Sequence, residues 1–187
     1  MKKNVFGIFG LLVAVFVITA IADPNFLSAY NMQNTVKWSS LYGVMSIGVA
    51  FVIITGGIDL SIGSVVGLVA VVLSFFTKIQ GLDPIVAIGL TLLMSVVIGL
   101  IHGLLITKAK LQPFVVTLCG LLLYRGLMRK FTGDQTMGLG DAGGGLRWLA
   151  TGKLGLTAEF GLPMPLLVLA GVALATGLLW QRTVWGR

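Results

Sequence analysis

From Trp38 to Thr77 the chain runs for forty residues with a single charged side chain, Asp59. A helix rises ~1.5 Å per residue, so one helix of that length would reach about 60 Å, twice the roughly 30 Å hydrocarbon core of a bilayer. The run is therefore read as two membrane spans, residues 38–58 and 60–77, which turn near Gly56-Gly57-Ile58-Asp59. Glycine at the end of a helix relieves the left-handed turn that often closes it. A carboxylate just before the next helix accepts its orphan backbone N–H groups.

Four further runs have spanning length or come close to it. Val5–Ala22 is uncharged and follows Lys2 and Lys3. Ala20-Ile21-Ala22 mimics a signal-peptidase site. The apolar region exceeds the usual ~7–15 residues of a signal peptide, however, and more spans follow, so an uncleaved first helix is expected. Asp23 to Lys37 reads as a polar connection. Ile85–Thr107 is entered after Asp83-Pro84 and closed by Lys108 and Lys110. Residues 111–128 form a weaker span, with Pro113 near its start and Arg125 near its end, where a snorkelling cation is tolerated. Arg129 to Gly161 reads as a long polar, Gly-rich loop. Residues 162–181 form the last span, with Pro163 and Pro165 in its first turn, where proline is allowed. The fold class is all-α, a polytopic bundle of about six transmembrane helices in one domain over residues 1–187.

Composition agrees: 57% of the 187 residues are hydrophobic and 10% are charged, against about 25% charged in a soluble domain. The net charge of +7 does not indicate nucleic acid, because the cations sit singly or in pairs at the ends of apolar runs, where membrane anchors belong. Placing the N-terminus in the cytoplasm puts Lys2, Lys3, Lys108, Lys110, Arg182 and Arg187 inside, and only Lys37 and Lys78 in short outer loops. That satisfies the positive-inside rule. Arg129, Lys130, Arg147 and Lys153 fall in the long outer segment, which the rule governs poorly. The lone Cys119 permits no internal disulfide and no thiolate metal site.

Few residues carry chemistry. Gly138 to Gly143 matches G-x-G-x-x-G, yet the strand-before, helix-after context that binds a dinucleotide is missing. No ATP-binding P-loop occurs. Gly63-x-x-x-Gly67 and Gly99-x-x-x-Gly103 are small-x-x-x-small patterns suited to close helix packing. His102 is an intramembrane ionisable group and so a functional candidate, although its place five residues before Thr107 favours simple packing against a neighbour. Asp59 has two compatible readings, a cap for a tight helical hairpin and a group lining a pathway. No catalytic set, metal site or cofactor is expected.

Phe51-Val52-Ile53-Ile54-Thr55-Gly56-Gly57-Ile58-Asp59-Leu60-Ser61-Ile62-Gly63-Ser64 resembles the signature of the ribose/xylose-type permeases of ABC importers, in which a GGIDLSxGS segment joins two membrane helices. Leu111-Gln112-Pro113-Phe114-Val115-Val116-Thr117-Leu118, followed by Arg125-Gly126, resembles a second stretch of that family in the same order. The resemblance runs from about Asn25 to the last residue. Thr183-Val184-Trp185-Gly186-Arg187 is similar to the lead-in to a cytoplasmic segment that docks on the ATPase in that family. The chain stops before that segment and resembles the N-terminal half of a permease, so a truncated frame or a fragment of a longer chain is expected.

The resemblance implies a non-enzymatic permease subunit in the bacterial inner membrane. It implies import of a monosaccharide delivered by a periplasmic binding protein. A second permease subunit and a separate ABC ATPase are the implied partners, beside membrane lipid. Gly56, Gly57, Asp59, Ser61 and Gly63 are the residues most exposed to this reading, with His102 and Arg125 secondary. The alternatives are a non-transporting remnant of such a permease, a membrane enzyme lacking any assembled catalytic set, and an ion channel lacking a visible filter.

Overall fold

A computed structural model describes residues 2–139, 144–155 and 161–182. The end of the G-x-G-x-x-G match, residues 140–143, and the Trp185-Gly186-Arg187 lead-in lie outside the described residues. The order is α1 (Lys2–Ala22), α2 (Ala29–Ile54), α3 (Ile62–Ser74) running into a π-helical turn (Phe75–Ile79), α4 (Pro84–Thr107), α5 (Pro113–Thr132), α6 (Gly144–Thr151), β1 (Lys153–Gly155), β2 (Gly161–Pro163) and α7 (Met164–Arg182). The fold is that of a polytopic helical membrane protein. By length and composition, α2, α3 with its π turn, α4 and α7 are able to cross a membrane. The apolar part of α1, Phe6–Ala22, is shorter, and α5 carries Arg125, Arg129 and Lys130 in its second half.

Three expectations need correction. The segment read as a polar connection up to Lys37 is helical from Ala29. Ser28 starts that helix, since its hydroxyl accepts from the backbone N–H of Asn31 at 3.3 Å. The segment read as a long loop contains regular elements: α5 extends to Thr132, α6 spans Gly144–Thr151, and β1 pairs antiparallel with β2 in the register Lys153↔Pro163, Leu154↔Leu162, Gly155↔Gly161. Pro163 therefore ends a strand and only Pro165 lies in the first turn of α7. Short strands rich in glycine carry too little periodicity to be read as pairing partners.

The chain divides into two compact units, residues 1–43 with 151–187, and residues 44–150. In the first, the Phe16 and Phe26 rings meet edge to face at 5.2 Å. A Cβ at Gly43 would lie 2.9 Å from Leu169 Cδ2, so the missing side chain lets α7 approach α2. The backbone N–H of Met164 donates to the Gly152 carbonyl at 2.9 Å and ties the hairpin to α7.

The second unit packs α3, α4 and α5 around Leu68, Ile98 and Tyr124, with Val65, Val72, Met94, Leu127 and Met128 against them. Gly67 faces Met128 of α5, whose Sδ would be 2.6 Å from an added Cβ. Gly63, Gly99 and Gly103 would meet nothing within 4 Å. Large apolar side chains such as Phe9, Leu92 and Leu100 are mostly exposed. That surface suits lipid, where the backbone must be satisfied within each helix and apolar groups face outward. Hydroxyls follow the same rule. Thr19, Ser40, Ser74, Thr77, Thr91, Ser95, Thr107 and Thr176 each donate to the carbonyl four residues back in their own helix.

Candidate functional site

The break between α2 and α3 is built by the residues expected to build it. Gly56 adopts φ +75°, the left-handed conformation that glycine takes without a Cβ penalty. Gly57 donates its N–H to the Val52 carbonyl at 2.9 Å. A side chain there would meet Val52 Cγ1 at 3.1 Å and its carbonyl oxygen at 3.3 Å. The Thr55 hydroxyl donates to the same carbonyl at 2.8 Å. On the far side of the break, Asp59 Oδ1 accepts from the Ser61 N–H and the Ser61 hydroxyl, both at 2.7 Å. Ser61 is 1% exposed. Its carbonyl in turn accepts from Val65 N at 2.9 Å and the Ser64 hydroxyl at 2.7 Å. Asp59 thus starts α3 by fixing the residue that precedes it.

Thr117 on α5 reaches the break from outside. Its hydroxyl donates to the Pro113 carbonyl at 2.8 Å and stands 3.3 Å from the Ile58 carbonyl. The two stretches that carry the sequence resemblance therefore meet in space. A cavity of about 450 Å³ opens beside them, lined by the break from Thr55 to Asp59, by Gly99, His102, Gly103 and Thr107 of α4, and by Pro113 and Thr117 of α5, among others. That volume lies within the roughly 300–1,000 Å³ of small-molecule sites, which are mostly apolar with a few convergent polar groups. Here those groups are one carboxylate, one imidazole and several threonine hydroxyls.

His102 is placed by α5. Tyr124 Oη lies 2.9 Å from His102 Nε2, and the rings stand 5.7 Å apart at 33°. Gly120 makes room for the imidazole, since a Cβ there would sit 2.7 Å from Nε2. His102 also lines a second cavity of about 300 Å³ with Cys119, Gly120 and Tyr124. The packing role expected of His102 is present, and the same side chain borders both spaces.

Of the other expected residues, Gly56, Gly57 and Asp59 line the larger cavity, while Ser61 is buried behind Asp59. Gly63 and the exposed Arg125 line neither cavity. Thr117, Gly120 and Tyr124 were not singled out by sequence. Their i, i+3, i+7 spacing, on the buried face of α5 with Val116, is the periodic signal that marks them. Among the described residues no three His, Cys, Asp or Glu side chains come together.

Residues 31–187 match the family described as branched-chain amino acid transport system / permease component. The chain is 34% identical over 179 residues to the ribose import permease protein RbsC of Bacillus subtilis, covering 95% of this chain and 53% of that protein. It is 30% identical over 179 residues to RbsC of Escherichia coli K12, covering 94% and 54%. The xylose transport system permease protein XylH of the same strain is 31% identical over 138 residues, 73% of this chain and 35% of that protein. The chain thus spans about half the length of the ribose permeases it matches. No solved structure matches it.

Proposed function

This chain belongs to the branched-chain amino acid transport system permease family, and on that premise we propose that it forms part of the pathway by which an ABC importer moves a monosaccharide across the bacterial inner membrane. It is a membrane permease component rather than an enzyme. The sugar arrives on a periplasmic binding protein. A second permease subunit completes the pathway, and a separate ATPase drives it. Six spans with a cytoplasmic N-terminus complete the proposal, supported by the distribution of Lys and Arg in the short loops.

The observation that carries this reading is the meeting of the Gly56–Asp59 break with Thr117 beside a cavity of about 450 Å³. In the six-span arrangement the break turns at the cytoplasmic ends of two spans, where its carboxylate and backbone polar groups border the cavity. The relatives named for ribose and xylose support a sugar as cargo.

Disruption of the gene encoding this chain tests the proposal. Uptake of labelled ribose or xylose should fall and return when the gene is supplied in trans. Intact sugar uptake with lost uptake of a branched-chain amino acid would move the chain to the amino acid branch of its family.

A further inference from the structure

A second polar recess lies in the unit formed by residues 1–43 and 151–187. It has a volume of about 140 Å³ and is lined by Tyr30, Gln33, Asn34 and Lys37 of α2, and by Thr151, Lys153 and Pro163 around the hairpin. The hairpin brings Lys153 there. Lys153 pairs with Pro163 across the two strands, and Gly161 permits the close approach, because a Cβ would meet Lys153 Cβ at 3.0 Å. Lys37 is half-buried beside the Trp38 ring, its ammonium 5.8 Å from the ring centroid.

The charge of the lining is one-sided. Two ammonium groups supply donors alone, two side-chain amides and two hydroxyls supply donors beside their acceptor oxygens, and among the described residues none of the lining is acidic. A lysine ammonium offers three donors and no acceptor, so the complementary ligand is an anion rich in acceptor oxygens. The volume is well below the roughly 300–1,000 Å³ that encloses a drug-sized ligand. It suits a single small ionic group.

The position in the chain identifies the source of that group. The apolar run of α2 begins at Trp38, directly after Lys37, and α7 begins at Met164, directly after Pro163. Both helices are long and apolar enough to cross a membrane. The recess therefore lies where two spanning segments leave the hydrocarbon, at the level of lipid headgroups. Trp38 and Tyr42 follow Lys37 on the same helix, with ring centroids 6.5 Å apart, and aromatic rings of this kind concentrate at that interface. We propose that Lys37 and Lys153 hold the phosphate of an anionic phospholipid headgroup in this recess.

The chain is purified in detergent, incubated with phosphatidylglycerol or phosphatidylcholine, and its retained lipid read by native mass spectrometry. Phosphatidylglycerol should be retained in preference. Lys37→Gln with Lys153→Gln should lower that retention roughly tenfold or more, in line with two near-surface lysines. Lys37→Arg with Lys153→Arg should keep it, because charge and donors persist. Lys78→Gln, outside the recess, should leave it unchanged. Equal retention by the glutamine variant, or equal retention of phosphatidylcholine, would overturn the proposal. Displacement of phosphatidylglycerol by millimolar inorganic phosphate would also overturn it, since the site would then take a free ion. Circular dichroism monitors folding. If the glutamine variant loses helicity, the arginine variant and the comparison of the two lipids each decide the matter alone.

Discussion

The Tyr124 hydroxyl and His102 Nε2 stand 2.9 Å apart and join α5 to α4. Tyr124 is 7% exposed, so its hydroxyl has little access to water. Interhelical side-chain bonds in membrane proteins average ~0.6 kcal/mol and reach ~1.7. Tyr124→Phe and His102→Phe should each destabilise the chain by about that amount, and the double change should cost less than the sum. Unfolding in mixed detergent micelles with a double-mutant cycle measures the coupling. Strict additivity would show that the bond contributes nothing.

Gly120→Ala and Gly126→Ala separate packing from helix propensity on one helix. At Gly120 the new methyl would meet His102 Nε2 at 2.7 Å, His102 Cε1 at 2.8 Å and Tyr124 Cε2 at 3.1 Å, whereas at Gly126 it meets nothing within 4 Å. Overpacking of this kind costs about 1–3 kcal/mol, while alanine gains up to ~1 kcal/mol over glycine in a helix. Gly120→Ala should therefore lower the thermal midpoint in detergent and Gly126→Ala should leave or raise it. Matching shifts at both sites would be incompatible with the described packing.

In a full-length homologous permease, Asp59→Leu at the aligned position should impair sugar uptake more than His102→Phe. The leucine removes the oxygen that accepts both bonds from Ser61 and places an apolar group at the break. Asp59→Asn keeps one such oxygen and should retain the amount of protein in the membrane. Uptake corrected for membrane level is the measurement. An equal or greater loss at His102 would reverse the ranking.

Single cysteines test the topology once the exposed native Cys119 is replaced. Lys108→Cys should label from the cytoplasm and Gly145→Cys from the opposite side. A side chain at 145 meets no neighbour within 4 Å, so local crowding does not obstruct labelling. Labelling of both positions from one side would end the six-span arrangement.

The helical plan was legible because the long apolar runs carry punctuation at their ends. Gly56 and Asp59 stand at the break, and Asp83 and Pro84 open α4, where Asp83 Oδ1 accepts from Ile85 N at 2.8 Å. The cavity was only half legible. Asp59 draws attention as a charge among apolar residues, but Thr117 and Gly120 are ordinary residue types whose role depends on which helix faces them. That choice is made by tertiary packing, between residues as far apart in sequence as Ile58 and Thr117. The hairpin was missed for the opposite reason, since three-residue strands are too short to show alternation.

The hydroxyls that bond back to their own helices have a mechanical consequence. A threonine satisfied by the carbonyl four residues earlier makes no directional claim on the neighbouring helix, so that contact rests on dispersion and shape. Among the described residues, the hydroxyls of α3 and α4 at Ser74, Thr91, Ser95 and Thr107 all behave this way. These hydroxyls place no interhelical hydrogen bond across that seam for a sliding motion to break. α5 differs at Tyr124, whose hydroxyl reaches outward to His102, and Thr117 adds to its own bond to Pro113 a longer approach to the Ile58 carbonyl. Within this unit the α3–α4 seam is the lubricated face and α5 is the latch.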